Sequence, residues 1–169
     1  NELKNIDITK WPIYHQVDWH IVQSEMNGYD FNYRVLKPWS RDPAFYQTIW
    51  MYESDVPAHE GPTNHSLLEF WQYEFPLKKD DAKRMASEFE VIPNILFQAR
   101  GNLTGNAKDL WVAGIENFKD QKKNIIYIKE KIEKHHGKKF DKILQKPINK
   151  AFEANEAFLE WLISKKSIK

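Results

Sequence analysis

The feature that most limits what this chain can become is the apolar periodicity of its last third. Over 106–135, Trp111, Ile115, Phe118, Ile125, Ile128 and Ile132 recur at intervals of three, four and seven, with Lys and Glu filling much of the rest. Such intervals place the apolar side chains on one face of an α-helix, here about eight turns long. A helix with one apolar face must bury that face against another element. The adjoining sequence supplies partners of the same kind. Met85, Phe89, Ile92, Leu96 and Ala99 align over 81–102, and Phe152, Ala154, Ala157, Phe158, Trp161 and Leu162 align over 147–164. The expectation is an all-α, irregular helical bundle of roughly five to seven helices with long antiparallel C-terminal helices. It is expected to form a single domain over 1–169.

Helix ends follow from capping chemistry. Asn106, with Asp109 three residues on, suits the start of the long helix, and Gly137 suits its end. Pro147 suits the first turn of the last helix, and Asp80 or Asp81 the cap of the one before the long helix. Pro93 falls inside that helix and is expected to kink it. Gly105 separates the helix ending near 102 from the one starting at 106, so those two are expected to pack as an antiparallel hairpin. Nearer the start, Thr9 is a candidate cap with Pro12 in the first turn. Trp11, Tyr14, Val17 and Ile21 then share a side, and Asn27-Gly28 is the expected stop. The stretch 37–43 reads as an ordered turn, 44–52 and 66–73 as short helices, and 53–64 as irregular chain with Pro57, Gly61 and Pro62.

Composition narrows the function classes. With 41% hydrophobic and 29% charged residues the chain is globular and has material for a core. The absence of Cys excludes disulfides, thiolate metal sites and a cysteine nucleophile. No apolar run approaches the ~20 residues of a membrane-spanning helix. The first residues are Asn-Glu-Leu-Lys without Met, which leads to the expectation that the chain is part of a longer product. The net charge of +1 is divided: residues 1–105 carry 10 basic and 15 acidic side chains, and 106–169 carry 15 basic and 9 acidic. Every base in the second part is Lys. Nucleic-acid surfaces use Arg for forked contacts to phosphate and guanine, so a solvated helix face is expected here and no nucleic-acid partner.

Chemistry-bearing residues are sparse. His59-Glu60-Gly61-Pro62-Thr63-Asn64-His65 invites a zinc reading. Zincin helices carry two His four residues apart on one face, however, and here the second His is six on with Gly-Pro between. The alternatives are a loop that gathers His59, Glu60 and His65 on a metal, and a loop whose polar groups satisfy backbone. His15 and His20 are five apart, the wrong spacing for shared ligation on a helix. His135-His136 falls at a lysine-rich helix end, where a cation suits the dipole. Nucleophile-elbow, dinucleotide and phosphate-loop patterns are absent. No complete catalytic set emerges, so whether the chain is an enzyme is left open, and no metal ligand is assigned. The tryptophans leave open a stand-alone module that binds peptide or glycan.

Two segments stand out, and from the residues alone both a packing or capping role and a more particular one stay open: Glu25-Met26-Asn27-Gly28 with Asp30-Phe31, running on through Arg34-Val35-Leu36 and Pro38-Trp39 to Arg41-Asp42-Pro43, and Ile92-Pro93 with Ala99-Arg100 and Asn102-Leu103-Thr104. Together with Pro57-Ala58-His59-Glu60-Gly61-Pro62-Thr63 and Asp109-Leu110-Trp111, they resemble a large bacterial family known as domain of unknown function 885. The resemblance spans most of the chain up to about residue 120. It implies the N-terminal helical part of an exported, periplasmic or lipid-anchored zincin-like metallopeptidase. The family's metal segment, of the HExxPGH type, lies far downstream and has no counterpart here. The resemblance therefore implies no cofactor in this chain, zinc in the parent protein, and the remainder of the parent chain and a peptide substrate as partners. The expected role is one wall of a substrate cleft, with Trp39, Arg41, Asp42, His59, Glu60 and His65 as candidate binding residues, since irregular polar loops are where binding groups concentrate.

Overall fold

The long apolar stripes do fold as helices. The computed structural model describes residues 2–53 and 67–166. It is 78% helical, an all-α fold with the C-terminal helices packed together. Four helices are long: α1 (Ile13–Phe31), α3 (Lys79–Asn102), α4 (Lys108–His136) and α5 (Asp141–Lys165), while α2 (Pro38–Arg41) is a single turn. Backbone contacts divide the chain into two compact units, Asn1–Pro38 and Trp39–Lys169.

In the first unit, both expected ends of α1 are corrected. Thr9 does not cap it. Its amide and hydroxyl both donate to Asp7 Oδ1, at 3.0 and 2.7 Å, and Pro12 supplies the carbonyl that accepts from the amides of His15 and Gln16. Nor does Gly28 stop it, because Gly28 does not take a left-handed conformation. The helix continues to Phe31 and into a π-helical turn, Asn32–Leu36, with Asp30 and Arg34 ion-paired across the join. The turn ends where Lys37 takes φ 45° ahead of Pro38. No side chain of α1 is buried. The predicted stripe is present, yet Tyr14 and Ile21 are 64% and 55% exposed.

The second unit holds the core, in which Phe89, Trp111, Phe118 and Phe158 are at most 1% exposed. Helices α4 and α5 run antiparallel. Lys122 faces Glu156 and, seven residues on, Lys129 faces Asn149, so positions rise on one helix as they fall on the other. Phe118 and Phe158 meet edge to face with centroids 4.7 Å apart, a favoured geometry for ring quadrupoles. Gly137 closes α4 as predicted, at φ 53°, with its amide donating to Glu133.

Asn106 and Asp80 or Asp81 do not cap their helices, since α4 starts after Ala107 and α3 after Lys78, neither with a side-chain cap. Three further helix expectations are corrected. First, α5 begins at Asp141, which leaves Pro147 inside it. Extending the helix upstream lets Leu144 be buried beside Phe140. At about 1.5–3 kcal/mol for each large apolar side chain, that offsets the roughly 3 kcal/mol cost of an interior proline. Second, α3 lies closest to α5 and does not pair with α4 as a hairpin. Ala82, Ala86 and Ala99 on the buried face of α3, and Ala151 on α5, allow close backbone approach. The buried face of α4 carries Trp, Phe and Ile side chains, which hold a neighbour further away. Third, 44–52 and 67–73 are not helices of the expected kind. A 3-10 turn, Pro43–Tyr46, leads into strand β1 (Ile49–Trp50), which pairs in parallel with β2 (Leu68–Glu69), and a second 3-10 turn, Phe70–Gln72, follows.

His136 is also corrected. It is not a cation serving the helix dipole, because its Nε2 accepts the Leu77 amide at 2.8 Å. Burial, helped by the charges of Lys139 and His135, pushes its pKa down.

Candidate functional site

Trp39, Arg41 and Asp42 lie together in the short stretch that opens the second unit, and each is half-buried. Asp42 stands where a capping residue belongs. Its Oδ1 accepts the Ala44 amide at 2.9 Å, and Pro43 follows in the first helical position, where a missing amide costs nothing. Burial raises the Asp42 carboxyl above its ordinary 3.8, against the pull of the Ala44 amide and the Arg41 charge. Tyr46, at the end of the same turn, donates its hydroxyl to the Trp39 carbonyl at 2.7 Å. The Nε of Arg41 is buried without a hydrogen-bond partner among the described residues.

This stretch is fixed to the bundle at two points. The Gly105 amide donates to the Ser40 carbonyl at 2.7 Å, and a Cβ on Gly105 would lie 3.0 Å from that oxygen. Pro43 sits so tightly on α4 that a Cβ on Gly114 would approach its Cβ to 2.6 Å. Gly105 is legible in the sequence as a separator, whereas Gly114 is not. The available signal was a glycine inside a strong helical pattern, which often marks a close packing contact.

The chain then runs through Thr48 into β1 and returns at Leu67 into β2. The Thr48 carbonyl accepts the amides of Leu67 and Leu68 at 3.1 and 2.9 Å. Beneath it, Gln121 Oε1 accepts from the Thr48 amide at 2.8 Å, the Ile49 amide at 3.2 Å and the Thr48 hydroxyl at 3.3 Å. Gln121 Nε2 donates to Asn155 Oδ1 at 3.0 Å, and Asn155 Nδ2 donates to the Phe118 carbonyl at 3.1 Å. The two amides therefore have their hydrogen bonds satisfied inside the core, as buried polar groups must. Neither was found from the sequence. The signal was there: the interval of seven between Phe118 and Ile125 skips one stripe position, and Gln121 fills it.

His59, Glu60 and His65 lie outside the described residues. Among the described residues no group of three His, Asp or Glu side chains is placed to hold a metal, and no helix is long and apolar enough to cross a membrane. Away from the predicted residues, α4 and α5 enclose a cleft of about 320 Å³ lined by Ile125, Ile126, Lys129, Glu130, Ile148 and Phe152. Compared with protein-family models, curated proteins and solved structures, the chain matches none.

Proposed function

We propose that this chain is the non-catalytic helical part of an exported zincin-like peptidase and forms one wall of a peptide cleft in that larger protein. The family resemblance suggests the class. The observation that supports the role is the double anchoring of the Trp39–Asp42 stretch through Gly105 and Gly114. A binding wall works best when its polar groups are held in place before the ligand arrives, because less ordering entropy is then lost on binding. In this reading Trp39 offers an apolar face to the peptide, Arg41 meets a carboxylate, and Asp42 sets the turn, with His59, Glu60 and His65 completing the wall. Zinc and the groups that cleave the peptide belong to the rest of the protein.

Isothermal titration of the whole protein with peptides tests this. His59→Ala is expected to weaken peptide binding by about tenfold, the size of one lost polar contact. Unchanged binding would remove the segment around His59 from the wall. A second reading, a stand-alone peptide-binding module, is favoured by one feature, the α4–α5 cleft with its apolar floor and charged rim.

A further inference from the structure

Buried polar side chains are rare in this core. Among the described residues they are Thr48, Gln121 and Asn155, each at most 1% exposed, and all three are bonded to one another through Gln121. Gln121 holds a position on the α4 stripe where Phe118, Ile125, Ile128 and Ile132 are apolar, and Asn155 does the same on α5 between Ala151 and Phe158. For packing alone an aliphatic side chain would serve better, because a buried amide stabilises only when fully bonded. The use of the amide is visible in its partners. Gln121 accepts the two backbone amides, Thr48 and Ile49, that a two-residue strand leaves without partners on that side.

We propose that Gln121 is the positioning residue for the two strand starts, Thr48–Ile49 and Leu67–Leu68. Its oxygen fixes the outgoing end at Thr48 and Ile49, and the Thr48 carbonyl fixes the returning end at Leu67 and Leu68. Asn155 orients the Gln121 amide, so α4 and α5 together set where both ends sit. The functional consequence rests on the proposed function, in which the described strand ends flank the peptide wall. The clamp itself can be tested without it.

A carboxyl in place of the amide makes the clamp depend on pH. Protonated, Gln121→Glu keeps a carbonyl oxygen for Thr48 and Ile49 and donates its hydroxyl to Asn155 Oδ1. Ionised, it loses that donor and faces the Asn155 oxygen as a buried charge. Amide hydrogen exchange on the chain, read as protection factors at low and at high pH, follows this. At high pH the variant is expected to lose about tenfold or more protection at Thr48, Ile49, Leu67 and Leu68, and to recover it at low pH, while Ile92 and Leu96 in α3 stay protected. Gln121→Met, which fills the space without an acceptor, should lose the same four at both pH values. Protection kept at the four amides in Gln121→Met overturns the proposal. So does protection lost equally in α3, which would make Gln121 a support for the whole bundle. Peptide titration of Gln121→Glu keeps the two claims apart. Lost protection with unchanged peptide affinity upholds the clamp and removes the strand ends from the wall.

Discussion

Gly114 and Gly101 look alike in the sequence, each a glycine inside a helical pattern, and the structure gives them opposite meanings. At Gly101 a Cβ would meet nothing within 4 Å, whereas at Gly114 it would collide with Pro43. Gly101→Ala should therefore stabilise the chain by up to about 1 kcal/mol, the ordinary helix preference of alanine. Gly114→Ala should destabilise it by about 1–3 kcal/mol, the usual cost of overpacking, and push the 43–46 turn off α4. Urea midpoints of the two variants check this, and equal shifts of one sign would mean that the contact with Pro43 yields freely. The candidate residues show the same limit on what a sequence yields. Asp42-Pro43 was legible as a turn, because capping chemistry is local. That Gly114 receives the turn depends on chain many residues away, and no local pattern carries it.

At the scale of elements, stripes were legible and their ends were not. Gly137 was, because a glycine that takes a positive φ after a helix acts within a few residues. Pro147, Gly28 and Thr9 misled, since another interaction overrides the usual local meaning of each: the burial of Leu144, the continuation of α1 into a π turn, and the competing bond to Asp7. Which helices pair also escaped the sequence, because that depends on how closely the alanines of α3 let α5 approach. His136 ties the end of α4 to the chain entering α3, and its pH dependence has a definite sign. Its pKa in the folded chain lies below the ordinary 6.5, so the folded state binds fewer protons than the unfolded state in the window between the two. Stability is full above that window and is lost as pH falls through it, since a protonated Nε2 cannot accept the Leu77 amide. Urea midpoints should fall from pH 8 to pH 5 in the wild type and fall less in His136→Asn. An equal fall in both would place the pH sensitivity elsewhere.

Taken as a whole molecule, the second unit is a three-helix core that holds two stretches of irregular chain from below, one through Gly105 and Gly114 and the other through Gln121 and Asn155. The all-α class was legible from periodicity alone. The anchoring was not, because it rests on tertiary contacts such as Gln121 with Thr48, which are 73 residues apart in the chain. That anchoring is the physical basis for reading the chain as a peptide wall. The most direct test is amide NMR of the isotope-labelled chain during titration with a mixed pool of short peptides. Shifts are expected to concentrate at 39–46 and at the strand ends, 47–50 and 67–69, with α4 residues such as Ile126 and Glu130 unmoved. Shifts confined to the α4–α5 cleft, or none at saturating peptide, would contradict the peptide-wall reading.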